Sequence, residues 1–446
     1  MTETAVDAAD RRLRLMVGGS ALVLGLLVVV FANAIPPTLR GLLGITTFLL
    51  VVAACSTKLT AVNWRTVGWG LALQWGLALF ILKFEIGGWR PGYEFFAWVS
   101  GTVKQFLEFT NAGAQFVFGG LADQAVMEKV FPGGFVFAFV ALPTIIFVSS
   151  FFTVLYYFGV LQFIVRVMAK AMMYLMRTSG AETLSSAANV FMGQTEAPII
   201  VKPYVPKMTT SELLAMMVGG MATISGGVMA VYITLGADPV AILTTSVMAA
   251  PCGLYLAKIL MPETGVPETS GEVRTKVERT HANVVDAAAA GASDGTTLAI
   301  NVAAMLIAFL AFIAMFDYML GAIQPGLTLA AVFGKVFAPA AILMGVPMAD
   351  VPAVADLLGT KLVANEFVAY VKLTTEYRDV LTPQGYVLST YALTGFANIA
   401  SIGIQLGGIG AMAPERRGDL ARLGGRALLA GFLATMINAA IASMLQ

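Results

Sequence analysis

The stretch GQTEAPIIVKPY, residues 193–204, crowds Gln194, Thr195, Glu196 and Lys202 together and interrupts them with Pro198 and Pro203. The chain on either side is strongly apolar. A charged side chain at the centre of a bilayer costs about 2.5–3.5 kcal/mol on insertion scales, and a proline inside a helix removes a backbone hydrogen bond. Irregular backbone persists at membrane depth only where protein or a wet cavity surrounds it. The segment 178–205 therefore reads as a re-entrant helical hairpin whose tip points into the protein.

The membrane setting follows from composition. Of 446 residues, 58% are hydrophobic and 12% charged, against roughly 25% charged in soluble domains. Apolar runs such as 16–34 and 297–316 are long enough to cross a hydrocarbon core of ~30 Å. Spans are predicted over 16–34, 41–55, 66–82, 133–158, 211–235, 240–261, 297–320, 385–405 and 427–445. Segments 93–125 and 160–177 mix apolar and charged residues and are expected to lie along the membrane surface. Arg11, Arg12 and Arg14, followed by an apolar run ending in Ala32-Asn33-Ala34, also fit a signal peptide, but the length of the run favours a retained helix.

Lys and Arg collect on cytoplasmic loops. Arg11, Arg12, Arg14, Lys58, Arg65, Arg166, Lys170, Arg177, Arg274, Lys276, Arg279 and the loop PERRGDLARLGGR (414–426) can all share one face. The opposite loops carry Glu85, Glu94, Glu108, Asp123 and Glu128. The amino terminus is then inside and the carboxyl terminus outside. The polar stretch 262–296 becomes a cytoplasmic connector between two halves. A net charge of +1 gives no electrostatic case for nucleic acid. Cys55 and Cys252 sit in or beside apolar helices as packing residues. His281 lies in a polar loop, so a histidine-based metal site or triad is not expected.

Segment 350–380 is broken in the same way as 178–205 and reads as a second hairpin. The two share a pattern: Thr195-Glu196 then Val201-Lys202, and Asn365-Glu366 then Val371-Lys372. Further on, Gly220-Met221-Ala222-Thr223-Ile224 is matched by Gly395-Phe396-Ala397-Asn398-Ile399. Two patterns in the same order indicate a duplicated unit, and the predicted orientation makes the two copies inverted. Inverted repeats with discontinuous helices are characteristic of secondary transporters, with the breaks at the binding site.

Unwound tips free backbone N–H and C=O groups for a solute or a cation. Gly193 permits close approach. Gln194, Thr195, Glu196, Glu366, Asn398 and Ser401 supply donors and acceptors suited to a neutral, hydroxyl-rich ligand. The plainer reading makes Glu196–Lys202 and Glu366–Lys372 ion pairs that pin the hairpins, although a separation of six is poor spacing for one helix face. Thr223 could equally bond to its own helix, and Phe396 could be core packing rather than a platform for a ligand ring.

At these residues the sequence resembles the concentrative nucleoside transporter family. GQTEAP at the first hairpin, NEFVAY at the second, GFANIASIGI (395–404) and APERRGDLARLGGRALLAG (413–431) carry the resemblance, which extends from about residue 41 to the end. It implies an all-α polytopic membrane protein, assembled as a homotrimer, with a scaffold and a mobile transport domain moving as an elevator. The resemblance implies that Gln194, Thr195 and Glu196 read the nucleobase beside Gly193 and Val228. Glu366, Asn398 and Ser401, with Phe396 nearby, would hold the ribose. A co-transported sodium ion would bind Asn189, the carbonyls of Met192 and Ile224, and the Thr223 hydroxyl. The family often has serine where Thr223 stands, and segment 16–34 is an addition.

The domain division that follows is 1–40 (an additional helix), 41–177 (scaffold and interfacial helices), 178–261 (first half of the transport domain), 262–296 (connector), 297–345 (scaffold helix and interfacial segment) and 346–446 (second half). The expected function is import of nucleosides across the inner membrane, driven by sodium. Pyrimidine nucleosides such as uridine are the primary expectation and purine nucleosides the wider one. A proton-coupled symporter is the alternative. An intramembrane hydrolase using the two glutamates lacks a nucleophile motif and a metal set.

Overall fold

A computed structural model describes residues 3–123, 126–127, 129, 136–270 and 281–446. Glu128, Arg274, Lys276 and Arg279, invoked above for orientation, lie outside the described residues. Those described form helices α1 (Glu3–Val30), α2 (Pro37–Ala54), α3 (Trp64–Leu82), α4 (Pro91–Phe118), α5 (Phe137–Tyr157), α6 (Val160–Met176) and α7 (Gly180–Ala188). A 3-10 segment, Ala197–Lys207, precedes α8 (Thr210–Ala222), α9 (Gly226–Leu235) and α10 (Pro239–Leu260). The second half comprises α11 (Val284–Ile323), α12 (Leu329–Val336), α13 (Ala338–Leu343), α14 (Val351–Val363), α15 (Glu366–Thr375), α16 (Pro383–Leu393), α17 (Ile399–Met412) and α18 (Arg417–Leu445).

Among the described residues, eight segments are long and apolar enough to cross a membrane, so the chain is an all-helical polytopic membrane protein. They differ sharply in burial. The apolar windows of Thr210–Leu235, Pro239–Leu260 and Pro414–Leu445 are 89, 83 and 83% buried, whereas those of α1, α5 and α11 are 17, 22 and 17% buried. The first group forms the interior and the second faces outward.

Three expected boundaries change. The helix placed at 297–320 begins at Val284, because Asn283 caps it by accepting from Asp286 N at 2.9 Å. The stretch from Val284 to 296 is therefore helix, not connector. The predicted span 211–235 is broken at 223–225, and 385–405 is broken at 394–398. Hydrophobicity continues through both breaks, so composition could not show them. Ser225 restarts the first by capping Val228 N at 3.4 Å, and Asn398 restarts the second by capping Ser401 N at 2.8 Å.

The long α11 packs along α5 through glycines. A Cβ at Gly291 would lie 2.5 Å from Thr153 Oγ1, and one at Gly295 would lie 2.8 Å from Ile146 Cα. Small residues allow this backbone approach where lipid supplies no hydrophobic drive between helices. Gly295→Leu is expected to destabilise the protein by about 1–3 kcal/mol through overpacking, measured as a lower melting temperature in detergent.

At the amino terminus, α1 packs on α2 and is tied down at its polar end. Arg14 donates to the Ser56 carbonyl at 2.8 Å, and Asp10 accepts from Thr60 N at 2.9 Å. Amphipathic α6 buries Leu161, Val165, Ala169, Met172 and Met176, and leaves Phe163 and Tyr174 exposed beside Arg166 and Lys170. That distribution suits a helix at a membrane surface.

Candidate functional site

The first hairpin starts at a capping box in which the Ser179 N–H donates to Glu182 Oε1 at 2.9 Å. Helix α7 stops at Ala188 and the chain turns through 189–196. Its return arm is a 3-10 helix rather than an α-helix. Pro203 and Pro206 lie inside it and remove the N–H groups an α-helical ladder would need. At the tip, Gly193 N donates to the Glu196 carboxylate at 3.0 Å.

The second hairpin is α14, a break at Ala364 and Asn365, and α15. Asn365 caps α15 by accepting from Val368 N at 2.9 Å. Glu366 is consequently the first residue of α15 and buried, where free N–H groups and the helix dipole favour a carboxylate.

Four predicted residues come together in one hydrogen-bonded line. Gln194 Nε2 donates to Ser401 Oγ at 3.2 Å. The backbone N–H of Ser401 donates to Asn398 Oδ1 at 2.8 Å, and Asn398 Nδ2 donates to Glu366 Oε2 at 2.8 Å. Tyr232 Oη completes the line by donating to Glu366 Oε1 at 3.1 Å. Gln194 Oε1 is buried without a hydrogen-bond partner, so one side of the amide still has an unused acceptor. Thr195 packs beside Gly408, where a Cβ would lie 2.4 Å from its Cγ2.

The two helix breaks also meet each other. Phe396 N donates to the Thr223 carbonyl at 3.1 Å. A Cβ at Gly395 would lie 3.1 Å from the carbonyl oxygens of both Met221 and Ala222. The repeated motif found in the sequence is therefore the place where the two halves cross. Phe396 is half-buried there, and Val228 is buried in the first turn of α9.

Glu196 stands apart from this line. It is exposed, and its carboxylate accepts from the Gly193 N–H of its own tip. The ion-pair reading fails as well. Among the described residues, no ion pair joins Glu196 to Lys202 or Glu366 to Lys372. Lys202 is exposed, and Lys372 instead pairs with Asp356, which also accepts from Tyr377 Oη at 2.8 Å.

Two of the residues expected to hold a cation, Asn189 and Thr223, meet at the last turn of α8. Asn189 Nδ2 donates to the Ser185 carbonyl at 2.9 Å, within its own helix, while Asn189 Oδ1 is buried with no partner. Thr223 Oγ1 donates to the Gly219 carbonyl at 2.9 Å, which leaves its lone pairs free. Asn189 lies against the same turn, since a Cβ at Gly219 would be 3.3 Å from its Nδ2. The carbonyls of Met192 and Ile224 belong to the non-helical segments after α7 and α8. A buried acceptor without a donor is unfavourable by about 1–3 kcal/mol, and a bare alkali cation beside it would relieve that cost. The donor set of neutral oxygens fits such an ion.

Sequence reasoning missed Tyr232, Ser185, Ser186, Gln405 and Lys361. Tyr232 stands in an apolar run, and the two serines lie in the first arm of the first hairpin without a motif of their own. Ser185 Oγ, Ser186 Oγ and Gln405 Oε1 are buried without partners. Lys361 is wholly buried on the first arm of the second hairpin. A lysine five positions before Glu366 was a legible signal.

Three family models match consecutive parts of the chain: Na+ dependent nucleoside transporter N-terminus over residues 43–121, nucleoside recognition over 138–239, and Na+ dependent nucleoside transporter C-terminus over 241–443. An uncharacterized transporter of Haemophilus influenzae is 41% identical over 91% of this chain and 97% of its own length. Sodium/nucleoside cotransporter 1 of Mus musculus is 40% identical over 92% of this chain and 64% of its own. This chain thus spans less than two-thirds of the length of that mammalian relative. The solved structure of CNTnw in an inward-facing substrate-bound state superposes with a TM-score of 0.87 at 40% identity, covering 92% of this chain and 98% of that one. An intermediate state of a CNTnw variant gives a TM-score of 0.84. The chain belongs to the concentrative nucleoside transporter family, whose members are membrane transporters rather than enzymes.

Proposed function

We propose that this protein imports nucleosides across the inner membrane, drawing on the sodium gradient, with uridine and related pyrimidine nucleosides as primary substrates and purine nucleosides as the wider range. The observation that carries the reading is the hydrogen-bonded line from Gln194 through Ser401 and Asn398 to Glu366. It joins the tip of one hairpin to the tip of the other through a helix break, in the interior of a membrane protein. Glu366 and Asn398 suit ribose hydroxyls, because an ionised carboxylate accepts more strongly than a neutral group. Gln194, with an unused acceptor, suits a base edge, and Thr195, Gly193, Val228 and Phe396 shape its surroundings. Glu196 supports the first tip through Gly193 and reaches the ligand only if the tip moves.

The element order supports an inverted repeat. Helices α5 to α10 run as long helix, surface helix, hairpin, broken helix and long helix, and α11 to α18 repeat that series with α12 and α13 in the surface position. Three crossings separate the starts of the two series, so the copies have opposite topology. The outward-facing α1, α5 and α11 suit a scaffold, and the buried hairpins, broken helices, α10 and α18 suit a transport domain that moves as a unit. Re-entrant hairpins, elevator motion, a homotrimeric assembly and the domain division given above all belong to this proposal.

Sodium is cargo in this scheme, held by Asn189, Thr223 and the Met192 and Ile224 carbonyls. One monovalent cation crossing 100 mV contributes about 2.3 kcal/mol, and a tenfold gradient adds about 1.4 kcal/mol. Together these sustain several-hundred-fold accumulation. In proteoliposomes, labelled uridine is expected to accumulate unaltered under an inward sodium gradient and not when choline replaces sodium at fixed pH. Equal uptake in choline under a proton gradient would replace sodium by protons. Uptake that never rises above equilibrium would remove the symporter reading.

A further inference from the structure

Gln405 is wholly buried on α17. Asn398 caps that helix, and Ser401 and Gln405 follow three and seven positions later, a spacing that keeps all three on one face. That face carries the hydrogen-bonded line described above. Gln405 Nε2 donates to the Met217 carbonyl of α8 at 2.9 Å. The contact fixes the amide, because the turned-over group would set its oxygen against another acceptor. Gln405 Oε1 is therefore directed away from that carbonyl, and among the described residues no donor reaches it.

Gln194 is in the same condition. Its Nε2 is engaged by Ser401 Oγ at 3.2 Å, and its Oε1 is buried without a donor. The two side chains are neighbours. Both press on Gly220, where a Cβ would lie 2.8 Å from Gln194 Cβ and 2.9 Å from Gln405 Nε2. Any larger residue there would part them. Thr195 packs on Gly408, one turn beyond Gln405, so the two tip residues assigned to the base are both seated on α17. A strut between α17 and α8 would use Nε2 alone and leave the oxygen unexplained. Two buried acceptors on adjoining side chains, each with its donor half already spent, are unfavourable unless a partner brings hydrogens to them.

We propose that Gln405 is a second base-reading residue, whose Oε1 accepts, together with that of Gln194, the two hydrogens of an exocyclic amino group. This rests on the nucleoside reading above and narrows its substrate class to a preference for amino-bearing bases. The amino group of cytosine or adenine offers two N–H donors, one for each orphaned oxygen. Uracil and hypoxanthine carry a carbonyl at that position, which brings a third acceptor to a place that lacks donors. Their ring N–H can satisfy one oxygen only. A site built to bond a ligand N–H discriminates against the analogue lacking it, because its own polar groups are then left unpaired. Cytidine is therefore bound more tightly than uridine, and adenosine more tightly than inosine.

Calorimetric binding of these four nucleosides to purified protein in sodium tests the idea without transport. In wild type each amino-bearing ligand is expected to bind about tenfold more tightly than its oxo partner, the worth of one buried hydrogen bond. Gln405→Leu and Gln405→Met keep the bulk of the side chain and remove its oxygen. Both are expected to cut the cytidine-to-uridine and adenosine-to-inosine affinity ratios about fivefold or more. An equal loss for all four ligands leaves the ratios unchanged, makes Gln405 a strut and overturns the proposal. Should neither variant fold, the wild-type ratios decide: above about threefold in both pairs supports it, and less in either pair overturns it. Wild type that binds all four alike removes only the role of Gln405, whereas wild type that binds none of them sinks the nucleoside reading itself.

Discussion

Glu366→Gln is expected to reduce uridine uptake to background while the protein still folds and purifies as a single species. The carboxylate accepts from Asn398 Nδ2 at 2.8 Å and Tyr232 Oη at 3.1 Å, and it is buried at the start of α15. Glutamine has nearly the same shape, so packing survives. What changes is acceptor strength and number. Hydrogen bonds to a charged group contribute about 1.5–3 kcal/mol, against about 1 kcal/mol for neutral partners. An amide also carries a donor that faces either Asn398 Nδ2 or the tyrosine. Losing two charge-assisted bonds to the ligand lowers affinity on the order of 100-fold. Binding of uridine to purified protein, followed by calorimetry, checks this independently of transport. Wild-type affinity in Glu366→Gln would remove the ribose assignment. Tyr232→Phe removes one donor and is expected to have a milder effect, which separates positioning of the carboxylate from its charge.

Much of this arrangement was legible in the residues because polar groups at membrane depth are expensive and therefore informative. GQTEAP and NEFVAY stood out against the apolar background, and the recurrence of Gly220–Ile224 as Gly395–Ile399 marked a duplicated unit, although not that its two copies cross there. The breaks at 223–225 and 394–398 were not legible as breaks. Thr223, Ser225 and Thr394 are hydroxyl residues that ordinary membrane helices tolerate, and only the caps formed by Ser225 and Asn398 reveal that the helices stop. The start of α11 was misplaced because Asp286 and Asp294 made the stretch before 297 look like a loop. Pairing by sequence proximity, the plainer alternative for the two glutamates, does not hold. Lys372 turns away from Glu366 to Asp356 on the opposite arm of its hairpin, since residues six apart point in different directions on a helix. Tyr232 and Lys361 were overlooked for the same reason that they matter: each is buried among apolar neighbours and takes its meaning from a partner distant in sequence.

Asn189→Leu is expected to abolish the response to sodium, and its effect on stability should run opposite to that of most buried substitutions. Asn189 Oδ1 is a buried acceptor with no donor from the protein, which carries a penalty of about 1–3 kcal/mol wherever no ion satisfies it. Leucine has a similar volume and removes that atom, at the cost of one hydrogen bond from Nδ2 to the Ser185 carbonyl, which helix geometry makes replaceable. The melting temperature in choline buffer should therefore equal or exceed that of wild type. In sodium the order reverses. Wild type gains stability by mass action as the ion fills the space between Asn189 and Thr223, and the variant gains nothing. Uptake by the variant should fall at least tenfold in sodium and become indifferent to replacement of sodium by choline. Thr223→Val, which keeps shape and removes the hydroxyl, is expected to weaken sodium stabilisation without restoring stability in choline, because the Thr223 hydroxyl already has a partner in the Gly219 carbonyl. Sodium stabilisation retained in Asn189→Leu would move the cation away from the first hairpin.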